Sequence, residues 1–513
     1  MTGTGTGPGP GAAAPDARLD APVVVAGAGP TGLMLAGELR LGGVEVIVLD
    51  RLTEPVTESR GLGFTARATE VFDQRGLLDR FANPEISPRG HFGGIPMDYD
   101  VLPGGHFGVR NVEQTETERV LREWATGLGA GVRPGHEVTG VRQSGERVEV
   151  EVSGPRGEEV LRCSYLVGAD GGRSTVRRAA GFDFPGHDAT CEMFLADVAG
   201  VGIRPRFLGE RVPGGMVMAA RLSDDVDRVI VCERGTAPEE RTAPPAFQEI
   251  AGAWRRLTGE DISHGEARWT SSFTDAARLV TEYRRGRVFL AGDAAHIHLP
   301  ASGQGLSVGV QDAVNLGWKL AAVVGGHSDE SLLDTYHRER HPVGERVLTN
   351  TRAQGLLYLG GSEVEPLRAV LGELLDDPGV ARRLAGMVSG LDIRCPVGPG
   401  THPLLGLRMP PCDLLVGADA TTSACLLRAG RGVLLQLDDD PGPARTAAPW
   451  AGRVDVVQAV CADERLAGTR AVLLRPDGHI AWAAPDGGDL AEALGTWFGA
   501  AGRVRRAVTA AHR

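Results

Sequence analysis

The chain has 513 residues, 42% of them hydrophobic, and a formal net charge of −12. That length exceeds what one hydrophobic core holds and predicts roughly two to four domains. No stretch of about 18 apolar residues lacks a charge, so no membrane helix is expected, and the acidic balance disfavours nucleic acid as a partner.

Residues 1–21 are rich in Gly, Ala, Pro and Thr, without a basic start or an apolar run. They predict a disordered tail rather than a secretory signal. Val23–Ala26 is a short apolar run expected to form a buried parallel strand. Gly27-Ala28-Gly29-Pro30-Thr31-Gly32 follows at once, then apolar residues at helical spacing from Leu33 to Leu39. A second apolar run, Val44–Leu49, ends at Asp50, 23 positions after the first glycine. Strand, glycine turn, helix, strand and terminal acid together form a dinucleotide-binding fingerprint. Gly27 permits the tight turn, Gly29 admits a pyrophosphate, and Gly32 brings helix and strand together. The N–H groups of the helix start, at Pro30-Thr31-Gly32, offer partial positive charge to phosphates. Asp50, with Arg51 beside it, can accept from ribose hydroxyls. The fingerprint alone does not separate NAD from FAD.

Tyr165–Gly168 is another apolar strand and runs into Asp170-Gly171, with Arg177 and Arg178 following. Between 182 and 272 the runs Met193–Val201, Gly215–Ala220 and Arg228–Cys232 predict an antiparallel sheet that roofs a substrate pocket. Met216 and Met218 alternate with Val217, so both can face either a flat apolar ligand or ordinary core. Phe92 and Trp269 are further substrate candidates. A third strand, Arg287–Ala291, ends in Gly292-Asp293. His296, Pro300 and Gly303-Gln304-Gly305 come next, then a helical pattern from Leu306 to Val324. Gly-Asp or Asp-Gly alone is a common turn; three glycine segments, each after an apolar strand, predict one shared cofactor site. From about 396, the runs Gly432–Leu437, Arg453–Val460, Ala471–Arg475 and Ile480–Ala483 predict a small α/β domain. Asp477-Gly478 reads there as a hairpin turn and Leu490–Phe498 as a helix.

Lys319 is the only lysine among 54 lysines and arginines, a bias typical of G+C-rich coding. A cofactor phosphate would therefore meet arginine or backbone N–H groups. The seven cysteines are widely spaced and form no CxxC pair. No zinc or other metal site, dithiol centre or disulfide framework is expected, only reduced thiols of a cytoplasmic protein.

The motif order GxGxxG, Asp-Gly, Gly-Asp resembles the aromatic-hydroxylase group of flavoprotein monooxygenases, the family of para-hydroxybenzoate hydroxylase. The resemblance implies an α/β fold. A Rossmann-like FAD-binding domain would take residues 22–181 and 273–395, an inserted antiparallel-sheet substrate domain 182–272, and a thioredoxin-like C-terminal domain 396–513. It implies bound FAD and transient NADPH. Asp293, with Gly292, would hold the flavin ribityl chain. Pro300, Gly303, Gly305, Leu306 and Ser307 would set a helix N-terminus at the pyrimidine end of the ring. Asp170 would serve both FAD and NADPH, Gln114 and Arg119 would touch FAD, and Arg60 would meet flavin phosphates or the nicotinamide nucleotide. His296 and Pro300 are the catalytic candidates; the family gives the position of His296 to structure and flavin packing more than to proton transfer.

A closer resemblance runs from Val23 to Phe498. Ser59–Arg67, Gly181–Gly186, Pro213–Met218, Gly292–Pro300 and His402–Gly406 are similar to actinobacterial hydroxylases of angucycline biosynthesis, such as those of the gaudimycin and urdamycin pathways. This implies hydroxylation of a polycyclic aromatic polyketide in antibiotic biosynthesis, with dioxygen as co-substrate and a flavin C4a-hydroperoxide as oxidant. A homodimer is compatible with it. One departure stands out: Ser307 occupies the place where those relatives usually carry asparagine, which bears on pocket shape or flavin mobility. Baeyer–Villiger insertion, epoxidation, and a non-catalytic flavoprotein that binds a partner enzyme stay open as alternatives.

Overall fold

The computed structural model describes residues 19–502 except 82–85, 105, 107 and 240. Residues 1–18 of the expected tail lie outside the described residues. Its last residues already belong to the fold: the Asp20 N–H donates to the Arg162 carbonyl at 2.8 Å, and Ala21 is buried.

Val23–Ala26 is buried along its whole length, as strands covered on both faces are. It lies inside a six-stranded sheet of order 284–285, 288–290, 165–168, 23–26, 46–50, 131–134. Five of these strands are parallel; the edge strand 284–285 is antiparallel. Helix Pro30–Leu41 packs between this sheet and the long helix Gln304–Val324, whose start precedes the expected Leu306 by two residues.

A second, five-stranded antiparallel sheet has the order 206–212, 215–221, 226–233, 192–199, 266–274. Strand alternation gives it two different faces. Val198, Val217, Ala219, Val229 and Val231 pack with Ile250, Ala253 and Trp254 of helix Phe247–Thr258. The opposite face carries Met193, Met216, Met218, Ile230 and Phe273, which meet Leu299 and Ala301 from the loop before the long helix.

The C-terminal sheet has the order 454–458, 432–436, 471–474, 480–484. Strand 432–436 is parallel to the first and antiparallel to the third. The chain turns between Leu474 and Ile480, as the Asp477-Gly478 hairpin signal predicts, and Asp477 is buried at that turn. Two requirements bury it. Trp318 of the long helix enters the core formed by Leu434, Leu473, Trp497 and Phe498. The charges drawn in with it need partners, because an unpaired buried ion is far costlier than a paired one.

Those partners form one network. Glu339 of helix Asp334–Leu359 accepts from Arg475 at 2.9 and 2.7 Å and pairs with Lys319 Nζ at 3.0 Å. Asp477 accepts from Arg475 Nε at 3.1 Å and from Trp318 Nε1 at 3.2 Å. Arg67 and Arg75 donate to the Asp477 and Pro476 carbonyls, each at 2.8 Å. The single lysine is thus spent in a buried joint between the C-terminal layer and the rest. Burial pulls Lys319 down to about 8 despite Glu339. Burial alone would raise Glu339, but Arg475 and Lys319 outweigh it and hold the carboxyl at about 2.

Among the described residues no helix is long and apolar enough to cross a membrane, and no group of three or more His, Cys, Asp and Glu could hold a metal ion.

Glu339→Gln leaves Arg475 and Lys319 short of a counter-charge. It is expected to lower stability near pH 7 by about 3–5 kcal/mol in urea unfolding. A carboxyl with a depressed folded pKa stabilises above its unfolded value and loses that contribution as pH falls through the folded one. The gap between wild type and Glu339→Gln should therefore narrow from about pH 4.5 to about pH 2.

Candidate functional site

Parallel pairing brings the three glycine segments together. Strands 288–290, 165–168 and 23–26 are neighbours pointing the same way. Their C-terminal ends deliver Gly292, Asp170 and Gly27 to one edge of the sheet, where such sheets bind ligands. The Ala169 N–H donates to the Ala26 carbonyl at 2.8 Å, and Ala291 N–H to Gly168 at 3.0 Å. Gly27 has φ +104, and a Cβ there would lie 2.2 Å from the Ala169 carbonyl oxygen. Gly292 has φ +60, and a Cβ there would come within 2.7 Å of Thr31 Oγ1. A Cβ on Gly32 would lie 1.9 Å from the Gly27 carbonyl oxygen. Other glycines of the same motifs face open space: at Gly29, Gly171 and Gly303 an added Cβ would meet no atom within 4 Å.

Helix Pro30–Leu41 starts with Pro30 in its first turn, without a side-chain cap or an acidic residue there. Its N-terminal field is left for an anion. Asp50 accepts from the Ala28 N–H at 2.6 Å and the Leu52 N–H at 2.9 Å, while Arg51 stays exposed beside it. Asp170 turns inward: it accepts from the Thr175 N–H at 2.7 Å and the Val176 N–H at 3.1 Å. Its carboxylate caps the short helix Thr175–Ala179, which leaves Gly171 as the open part of that motif.

Asp293 is exposed, and among the described residues its carboxylate takes no hydrogen bond. Arg60 donates to Ser271 Oγ at 3.1 Å. Burial and the charge of Arg173 pull Arg60 below the ordinary guanidinium range, and Asp293 opposes them. Gln114 donates its N–H to the Gly61 carbonyl at 3.0 Å and its amide to Glu118 at 2.8 Å. Arg119 does not join this group. It lies on the exposed face of helix Gln114–Gly127, where Glu116 and Glu123 hold its guanidinium at 2.7 Å each. Five positions along a helix rotate a side chain well away from Gln114.

The loop after Asp293 is built on buried groups. His296 is fully buried. Its Nε2 donates to Asp312 at 2.8 Å, and Asp312 also accepts from Arg340 Nε at 2.6 Å and the Gly292 N–H at 3.1 Å. Burial would raise the Asp312 carboxyl, but Arg340 and His296 hold it below the usual range. His296 is therefore a support of the turn, not a group facing a substrate, and Asp312 and Arg340 are residues the motif reading missed. Pro300 is exposed and leads into Ser302, whose φ of +56 is unusual for a side-chain residue. Ser302 Oγ donates to Gln354 at 2.9 Å, which also accepts the Gly93 N–H at 3.2 Å. The long helix then begins, with no acidic residue in its first turn and with Leu306 packed on the main core. His298 borders Gly305, 3.8 Å from where a Cβ would stand. Its Nδ1 donates to the Leu299 carbonyl at 2.8 Å, so Nε2 is left as an acceptor. Burial lowers its basicity, against the pull of the Leu299 carbonyl.

Ser307 Oγ accepts the Thr65 N–H at 2.9 Å. It borders a cavity of about 20 Å³ lined also by Gln304, Gln311 and Asn350, enough for one water. Met216 and Met218 lie on the sheet face opposite Val217. Trp269 lies under the Arg228 guanidinium, 5.5 Å away, and Arg228 also donates to the Arg60 carbonyl at 3.3 Å. Phe92 is packed elsewhere, in a core with Tyr99, Leu357 and Val388.

Residues 20–351 match the family model described as FAD binding domain, and residues 402–501 match that of the aromatic-ring hydroxylase C-terminal domain. The chain belongs to the FAD-binding aromatic-ring hydroxylase family. It is an FAD-dependent monooxygenase. A relative from Streptomyces rimosus subsp. rimosus, 12-dehydrotetracycline 5-monooxygenase/anhydrotetracycline 6-monooxygenase, is 44% identical over 93% of this chain and 98% of its own. Rifampicin monooxygenase from Streptomyces venezuelae is 44% identical over 93% of this chain and 99% of its own. The crystal structure of CabE, an aromatic hydroxylase from angucycline biosynthesis, matches with a TM-score of 0.92 at 59% identity, covering 94% of this chain and 100% of CabE. The open glycines, the uncapped helix start and the free carboxylate of Asp293 fit a flavin dinucleotide.

Asp293→Ala removes a charged acceptor, an interaction worth about 1.5–3 kcal/mol. Flavin affinity measured by fluorescence quenching should fall by about 10- to 100-fold. Arg119→Ala, on the solvent face, should leave that affinity unchanged.

Proposed function

We propose that this monooxygenase hydroxylates a polycyclic aromatic polyketide of the angucyclinone type in antibiotic biosynthesis, with NADPH as transient reductant. The observation that carries the reading is the methionine-bearing sheet face, Met216 and Met218 with Met193, Ile230 and Phe273, set against Leu299 and Ala301 at the approach to Gly303. Such a face accepts a broad flat ring system, because thioethers adapt to shape and contact aromatic rings favourably. The 59% identity to CabE over almost the whole chain supports the same substrate class.

In this reading residues 22–181 and 273–395 bind FAD, 182–272 roof the substrate, and 396–513 form a thioredoxin-like domain without a redox motif. The bound flavin supplies electron transfer and oxygen activation. The chain positions and shields. The N–H groups after Gly29 and the arginines Arg60 and Arg173 hold phosphates, and Asp50 and Asp293 accept from sugar and ribityl hydroxyls. The start of the long helix at Gly303–Gly305 offers partial positive charge to the ring. The methionine face excludes water and orients the polyketide. His298 Nε2 is the acceptor at this edge that can take a hydrogen bond from a substrate phenol.

The test is turnover of early angucyclinones with NADPH under labelled dioxygen. A phenolic product carrying one labelled oxygen atom is expected. A lactone or epoxide would turn the reading to the rival oxygen insertions, and no substrate-stimulated NADPH oxidation would defeat it.

A further inference from the structure

The sequence scatters its cysteines, yet the fold gathers four of them into two neighbouring pairs. Cys191 and Cys232 belong to one buried cluster with Met216, Leu299 and Ala301. Their strands are antiparallel neighbours, with Phe194 opposite Val231. Continuing that register puts Cys232 beside Met193, and Cys191 one pleat further along the same face. Asp275 accepts the Thr190 N–H at 2.7 Å and the Cys191 N–H at 3.0 Å, which fixes the start of the strand. The two thiols lie close enough to perturb each other, which raises Cys191 and lowers Cys232. The other pair, Cys412 and Cys461, lies in the separate C-terminal core; burial and Cys461 push Cys412 up to about 12. Cys461 is partly exposed.

We propose that Cys191 and Cys232 form an oxidisable dithiol site in the roof of the substrate pocket, closed to a disulfide by hydrogen peroxide from unproductive flavin oxidation. The proposal rests on the flavin monooxygenase reading for its oxidant. The Cys232 thiolate attacks the peroxide O–O bond; the oxygen it does not bond leaves and is protonated to water, and Cys232 becomes a sulfenic acid. The Cys191 sulfur then attacks that sulfur, the S–S bond forms, and the sulfenic oxygen leaves as a second water. Two thiols lose two electrons and two hydrogens, and one peroxide gains them. The cluster places the pair with Leu299 and Ala301, the residues that lead into Gly303. Cys232 is the cross-strand partner of Met216, so the bond would stiffen the face that seats the substrate.

The test uses flavin-loaded enzyme without substrate, taken through repeated anaerobic photoreduction and exposure to air, with catalase in the bulk solution. Thiols are then alkylated and peptides mapped by mass spectrometry. Two of the seven thiols should become unavailable and appear as a reducible Cys191–Cys232 cross-link, while Cys412 and Cys461 stay alkylated. Cys232→Ser should lose the cross-link and keep bound-flavin absorbance. Seven alkylated thiols, or a cross-link only between Cys412 and Cys461, would overturn the proposal. A second arm adds hydrogen peroxide in the dark, where the same Cys191–Cys232 cross-link is expected and its absence counts against the site. This arm needs no flavin turnover, so a flavin that does not cycle is told apart from a dithiol that does not close.

Discussion

A carboxylate with no access to water must be met by protein groups on every side. Asp312 is such a group, and it takes Arg340, His296 and the Gly292 N–H at once. These partners come from helix Asp334–Leu359, from the loop after Asp293 and from the Gly-Asp turn itself. Satisfying one buried charge therefore fixes where Asp293 stands relative to the start of the long helix. The same helix meets the C-terminal layer further along, through Asn315 and Trp318. One element thus carries both the flavin-facing turn and the joint that holds the C-terminal sheet.

Charge pairing also ties the substrate-side sheet to the cofactor edge. Arg228 makes a two-pronged contact with Asp197, 2.7 Å on each side, and reaches the Arg60 carbonyl. Arg60 in turn donates to Ser271 on the outermost strand of that sheet. Planar guanidinium groups suit this position because one side chain can serve several acceptors in fixed directions.

The elements nearest the site were legible because their signals are local. Val23–Ala26, Tyr165–Gly168 and the glycine turns follow from short apolar runs meeting residues that tolerate special backbone geometry. Val217 and its methionine neighbours followed from strand alternation, and they do face opposite ways. Arg119 misled because a motif read as a string ignores helical rotation; its own neighbours Glu116 and Glu123 claim it. The Asp477-Gly478 hairpin was legible, but the burial of Asp477 was not, since nothing nearby in the chain foretells Glu339 and Trp318 around it. Asp170 also holds the start of a short helix through the Thr175 and Val176 N–H groups, a role its motif does not announce.

The amino-acid order alone determined the family, the glycine turns and the strand-end edge at which they meet, because each depends on residues within a few positions of one another. The tertiary structure decided which charges are partners, which cysteines adjoin and which motif residues face outward. Those outcomes depend on groups hundreds of positions apart sharing one desolvated space, and no local pattern encodes who will share it.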